Sequence, residues 1–190
     1  MNITILGTSK PKAVTDTLGF QLGQTLSALG HRLSVGASAQ GVSESVRRGA
    51  AEAPRRHVRS YYVRAYNERI SENRSHVNGY YFIEQWDVLD RISLVRSASA
   101  VVFLSICRAN IGTALNLLYE QREDTRKRID ETVSPRLLLF HSSIQEAFRS
   151  SELFGCLFDD EDHANYKAFT SLQDALALIG DWDDRPKLYV

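Results

Sequence analysis

The segment Arg32-Leu-Ser-Val-Gly36-Ala-Ser-Ala-Gln-Gly41-Val-Ser-Glu-Ser-Val-Arg-Arg-Gly49-Ala50 constrains the fold more than any other. An apolar run breaks into small residues and glycines and then resumes with helical spacing, which reads as a strand, a tight turn and a helix start. Where a parallel strand meets a helix N-terminus, unpaired backbone N–H groups and the positive end of the helix dipole point at one spot. That geometry suits a phosphate.

Strand-like and helix-like segments alternate along the rest of the chain, which predicts an α/β fold: a doubly wound, mainly parallel sheet with helices on both faces. The spacing predicts strands at Asn2–Leu6, Arg32–Val35, His57–Val63, Ala100–Leu104, Arg136–Phe140 and Tyr166–Phe169. Helices are predicted over Val14–Leu29, with Leu18, Leu22, Leu26 and Leu29 on one face and Gly30 as the stop, and over Val42–Ala53 before Pro54. Further helices are predicted over Tyr80–Ser97, Gly112–Arg128 and from Ser142 to Phe148. A last one, through Ile179, is capped by Ser171-Leu-Gln-Asp174. The polar, aperiodic stretch 64–79 reads as a long loop, a length that in a compact domain is usually functional or mobile.

Composition narrows the class. A chain of 190 residues, 43% hydrophobic and 24% charged, fits one domain over 1–190 with a sizeable core. Lys+Arg and Asp+Glu both total 23, so no global field favours nucleic acid or an anionic membrane, and anion binding must arise from local clustering. Cys107 and Cys156 make neither a disulfide framework nor a metal-site spacing. His57, His76, His141 and His163 have no ligand spacing, so no metal site and no resident cofactor are expected. The short apolar run Ile3–Leu6 is no signal peptide, and nothing approaches a membrane span, so a soluble, cytoplasmic protein is expected.

In a doubly wound sheet, ligands bind at the carboxyl ends of the strands, where the strand order reverses. Three strand ends carry suitable chemistry: Gly7-Thr8-Ser9-Lys10, then Gly36-Ala37-Ser38-Ala39-Gln40-Gly41, then Ser105-Ile-Cys-Arg108-Ala-Asn110-Ile-Gly112-Thr113. Glycine permits close approach of backbone, the hydroxyls donate, and Lys10 and Arg108 add charge. Turn-forming and helix-packing roles for Gly36 and Gly41, and simple capping by Gly112-Thr113, are the alternatives. None of the three is a G-x-G-x-x-G fingerprint or a Walker A loop, which argues against ordinary dinucleotide dehydrogenases and P-loop kinases. Eight arginines against three acids lie between Arg47 and Arg74, interleaved with Tyr61, Tyr62 and Tyr66. This is either a solvated basic face or a surface for phosphate and a stacked base.

Ile5-Leu-Gly7-Thr-Ser, Gly36-x-x-x-x-Gly41-x-x-x-x-Val46-x-x-Gly49-Ala50, Val95-Arg-Ser-Ala-Ser-Ala-Val-Val102 and Ile111-Gly112-Thr113 together resemble the SLOG superfamily. That group includes the Lonely-Guy (LOG) phosphoribohydrolases, once called lysine decarboxylases, and the DprA-like proteins. The resemblance covers about the first two thirds of the chain. It implies a Rossmann-like fold, a nucleotide-type small molecule as ligand, and a homodimer or higher homo-oligomer formed through the faces of Tyr80–Leu94 and Leu115–Tyr119. Single-stranded nucleic acid, as bound by the DprA-like branch, would use the same ingredients, but the neutral net charge argues against it.

The departures matter as much. LOG enzymes carry Pro-Gly-Gly-x-Gly-Thr-x-x-Glu; matched on Ile111-Gly112-Thr113, this chain has Arg108, Ala109 and Asn110 for the Pro-Gly-Gly and Asn116 for the glutamate. An amide cannot replace a carboxylate as a general base or as the stabiliser of an oxocarbenium-like cation. Two readings follow. A divergent member retains the phosphate loops and binds a nucleoside monophosphate or ADP-ribose-type ligand without cleaving it. Alternatively it is an N-glycosidase with Glu120, one helical turn beyond Asn116, as carboxylate and Arg91 or Arg96 steadying the phosphate; Glu84, Asp87 and Asp90 are the other candidate acids. A purely structural Rossmann-like partner is a third, weaker reading.

Overall fold

In the computed structural model, residues 1–36, 40–54, 58–63, 79–83, 95, 98–107, 110–120, 136–150 and 166–184 are described. Seven strands form one sheet in the order β4-β3-β2-β1-β5-β6-β7. They are β1 (Asn2–Leu6), β2 (Arg32–Gly36), β3 (Val58–Val63), β4 (Gly79–Ile83), β5 (Ala100–Phe103), β6 (Leu137–His141) and β7 (Tyr166–Phe169). Every pairing is parallel. Five helices are described, labelled here α1 (Ala13–Ala28), α2 (Val42–Ala51), α3 (Ile111–Glu120), α4 (Ser142–Arg149) and α5 (Leu172–Asp183).

Alternation along the strands sorts the helices into two layers. Ile3, Ile5, Leu33, Val35, Ala100, Val102, Leu137 and Leu139 point to one face, where Leu18, Leu22 and Leu26 of α1, Val42 and Val46 of α2, and Ala175 and Ile179 of α5 cover them. Val101, Phe103, Leu138 and Phe140 point to the other, beneath Ala114, Leu117 and Leu118 of α3 and Ile144 and Phe148 of α4. Phe103 and Phe140 stack across neighbouring strands, with centroids 4.7 Å apart and planes 5° from parallel. Each fully buried Leu, Ile or Phe contributes about 1.5–3 kcal/mol, so the two clusters hold the sandwich together.

Local signals explain the boundaries. α1 stops where Gly30 takes φ +85°; the Gly30 N–H donates to Ser27 O and the His31 N–H to Leu26 O, both at 3.0 Å, which is the Schellman arrangement. Ser171 caps α5 by accepting from the Asp174 N–H at 3.1 Å. α1 and α2 cross closely, since a Cβ on Gly49 would stand 1.9 Å from the Phe20 carbonyl oxygen. This contact fixes how the N-termini of α1 and α2 sit relative to each other.

The chain departs from the sequence reading at Tyr80. Instead of opening a helix over Tyr80–Ser97, Gly79–Ile83 forms β4, paired with β3 from Arg59↔Gly79 to Val63↔Ile83. The run Tyr-Tyr-Phe-Ile is aromatic and β-branched, and its preference for an extended, paired backbone outweighs the apolar spacing that suggested a helix. Val95 is helical and buried; the rest of that predicted helix lies outside the described residues, as do 64–78 and 121–128.

Candidate functional site

The sheet order reverses between β1 and β5: the chain leaves β1 towards β2 on one side and, after β4, returns to β5 on the other. In open α/β sheets such a switch point places the ligand crevice at the carboxyl ends of the strands, here those of β1 and β5. The ladder persists to its rim, where the Leu104 N–H donates to Leu6 O at 2.9 Å. One step further the Thr8 N–H donates to Ser105 Oγ at 2.8 Å, tying the loop after β1 to the loop after β5. Thr8 O in turn accepts from the Val42 N–H at 3.1 Å, joining the start of α2 to the same point. The three loops singled out in the sequence thus meet around Thr8.

The glycines serve this convergence. A Cβ on Gly7 would lie 2.4 Å from Val42 Cγ2, and one on Gly41, at φ +75°, would lie 2.4 Å from Thr8 O. Gly36 is less tight, its Cβ position being 3.2 Å from Ser43 Oγ. The space vacated by the missing side chains at Gly7 and Gly41 is filled by the protein, so these two glycines bring the loops together rather than opening room for a ligand.

Electrostatics distinguish this end of the sheet. The N-caps of α1 and α2, Lys12 and Gly41, contribute no side-chain capping bond. By contrast the edge helices α4 and α5 are capped by their own residues, with His141 accepting from the Ser143 N–H and Ser171 from the Asp174 N–H. The acids in the first turns of α1 and α2 are engaged: Asp16 Oδ1 accepts from Ser45 Oγ, and Glu44 Oε2 accepts from Arg47 Nη2 at 2.8 Å. Ser9 and Lys10 are exposed at the rim, and Thr8 Oγ1 accepts from the Lys10 N–H at 3.2 Å. Together they offer helix-dipole ends, hydroxyls and an ammonium, a donor set for an anion.

The loop after β5 is held by Asn110. Its amide oxygen accepts from the Cys107 N–H at 2.7 Å and its amide nitrogen donates to Ser105 O at 3.0 Å, so this side chain, 6% exposed, shapes the loop. Gly112 is half-buried, and Thr113 is packed under the first turn of α3. Asn116 is exposed on α3 and donates back to Gly112 O at 2.9 Å. Ala37, Ser38, Arg91 and Arg108 lie outside the described residues.

Glu120 does not reach the crevice. α3 begins at the carboxyl end of β5 and runs back along the sheet, so its last residue sits about 13 Å down the helix axis from Ile111. There Glu120 Oε2 lies 3.8 Å from Nη1 of Arg136, which immediately precedes β6 at the amino-terminal end of the strands. The i and i+4 relation to Asn116 holds for the helix face, but the axial rise carries the carboxylate away.

The sequence reading named Ser105 within the third loop and Arg47 within the arginine-rich stretch, but it did not single out Asp16, Glu44 and Ser45 or pair Arg47 with Glu44. Arg47 is the largest of them and is fully buried. The available signal was an i,i+3 acid–arginine pair directly after the glycine loop, on the apolar face of α2.

No protein-family model matches the chain, and no curated protein sequence does. Among solved structures, the molybdenum cofactor carrier protein of Chlamydomonas reinhardtii aligns with 97% of this chain and 98% of its own at TM-score 0.65 and 15% identity. The molybdenum cofactor binding protein of Rippkaea orientalis aligns over 95% of both chains at TM-score 0.63 and 18% identity. DNA processing protein A of Helicobacter pylori, described in its single-stranded DNA binding mode, aligns with 95% of this chain and 81% of its own at TM-score 0.52 and 14% identity. At these identities the shared property is the fold, an α/β Rossmann-like sheet. Among the described residues no cluster of His, Cys, Asp or Glu is arranged to hold a metal ion, and no helix is long and apolar enough to cross a membrane.

Proposed function

We propose that this chain binds a phosphate-bearing small molecule at the β1/β5 crevice and holds it intact, as a carrier or sensor, and that it is a divergent member of the SLOG superfamily. The observation that carries this reading is the meeting of the loops after β1, β2 and β5 around Thr8, beside two helix N-termini without side-chain caps. The phosphate would be held by Thr8, Ser9, Lys10 and the starts of α2 and α3, including Gly41, Gly112 and Thr113. Ala37, Ser38 and Arg108, which follow β2 and β5 in the sequence, are further candidates for the same role.

The ligand class follows from the same chemistry. A nucleoside monophosphate or an ADP-ribose-type molecule brings the phosphate that this donor set would take. So does the molybdenum cofactor, a phosphorylated pterin, and the full-length fold likeness to proteins that carry or bind it makes it the first cargo to test. The donor set fits the phosphate end of such a cargo. The glycosidase alternative with Glu120 as carboxylate is less well supported, because Glu120 lies beside Arg136 at the opposite end of the strands; Glu84, Asp87 and Asp90 lie outside the described residues.

The test is a thermal-unfolding panel with molybdenum cofactor handled anaerobically, AMP, ADP-ribose, NAD and cyclic nucleotides, each mixture then resolved by chromatography. A ligand at 100 times its Kd adds about 2.7 kcal/mol of stability. Stabilisation with the ligand recovered whole supports the proposal and names the class. Released base and ribose 5-phosphate would replace it with the glycosidase, and no stabilisation by any phosphorylated compound would overturn both.

A further inference from the structure

The one fully buried arginine among the described residues lies in α2, directly behind the glycine loop. Arg47 Nη1 donates to the carbonyl of Gly36, the last residue of β2, at 3.0 Å. Its Nε and Nη2 donate to Glu44 Oε2, in the first turn of α2, at 3.1 and 2.8 Å. The guanidinium therefore grips both ends of the β2–α2 connection at once, the strand end and the helix start. Within α2, Ser45 Oγ donates to Gly41 O at 3.1 Å and to Asp16 Oδ1 of α1.

Stability alone gives little reason for such a pair. Burying the arginine costs several kcal/mol of desolvation, only partly offset by the half-buried Glu44, and a well-packed apolar residue of similar size often serves a core as well or better. What an apolar residue cannot do is fix two separate backbone points by directed bonds, which the planar fork does. We infer that Arg47 is a positioning residue: through Gly36 O and Glu44 it sets the β2–α2 loop and the N-terminus of α2 in the geometry that receives an anion, without touching the ligand. This rests on the functional reading above. Lysine offers a single ammonium and cannot span Gly36 O and Glu44 as the fork does, so charge alone does not substitute.

The test uses the whole chain and inorganic phosphate as probe, followed by amide shifts of Thr8, Gly41, Val42 and Gly112 at constant ionic strength with chloride as reference. Wild type is expected to show saturable shifts at these amides. Arg47→Met, compared at a temperature where it is fully folded, is expected to bind phosphate about tenfold more weakly, as for the loss of one preorganising contact. Should the methionine variant not fold, Arg47→Lys takes its place with the same expected direction. A residue that only stabilises the fold would lower Tm and leave phosphate affinity unchanged, so unchanged affinity in the folded variant overturns the inference and leaves the functional reading standing. Absence of saturable shifts in wild type overturns the functional reading, and the inference with it.

Discussion

Gly41→Ala tests whether the crevice is built by the close approach of two backbones. Gly41 has φ +75° and ψ −152°, a region populated almost only by glycine, and placing alanine there costs about 1–3 kcal/mol. The new Cβ would also stand 2.4 Å from Thr8 O, so the Thr8–Ser9 backbone must retreat by about 1 Å to restore an ordinary contact of 3.4 Å. That movement breaks the 3.1 Å bond from the Val42 N–H to Thr8 O, a further loss of about 0.5–1.5 kcal/mol. The sum is about 1.5–4.5 kcal/mol, or a Tm lowered by roughly 3–18 °C in a chain of this size. Gly30→Ala is the internal control: its φ is +85°, but nothing lies within 4 Å of the added Cβ, so only the conformational cost of about 1 kcal/mol applies. Calorimetric unfolding of both variants separates the two effects. If Gly41→Ala lowers Tm no more than Gly30→Ala, the packing of the β2–α2 loop against Thr8 described here is wrong.

Three further outcomes are expected. Ser105→Ala removes the acceptor of the Thr8 N–H, and should lower stability by about 1 kcal/mol and weaken phosphate binding, read by calorimetry and titration. Glu120→Gln should lower Tm through its contact with Arg136 and leave ligand affinity unchanged; lost binding or turnover with an intact fold would return Glu120 to the site. Hydrogen bonds from the Thr170 hydroxyl and N–H, and then from Ser171, hold the Asp174 carboxyl below its ordinary value of 3.8. A depressed folded-state pKa stabilises above the unfolded value and is lost as pH falls through the folded one. Asp174→Asn should therefore be less stable than wild type at pH 6, with the gap closing only below about pH 4 in an acid-unfolding series.

Much of the fold was legible because the signals were local. The apolar runs at Ile3, Leu33, Val101 and Leu138, the heptad-like leucines of α1, Gly30 and the Ser171 cap each specify their element without help from the rest of the chain. β4 was not legible, since Gly79–Ile83 is an edge strand whose extended state depends on pairing with β3, a contact that periodicity does not record. The crevice was legible as three strand ends, but the roles within it were not. Asn110, chosen as a ligand contact, also holds its own loop through Cys107 and Ser105, and Glu120 follows a correct helix face to the opposite end of the strands. Arg47 was read as part of a basic surface, whereas burial against Gly36 O and Glu44 places it beneath the loop. Each of these depends on distance along an axis or on a partner from another element, which the linear sequence does not carry.

The central claim is a place as much as a ligand. Amide shift mapping of the labelled protein with the ligand that stabilises it most tests that place directly. The account predicts perturbations gathered at Thr8, Gly41, Val42, Ser105 and Gly112, with the α5 cap at Ser171 unchanged. Shifts concentrated on α4 and α5, or absent from the loops around Thr8, would contradict it.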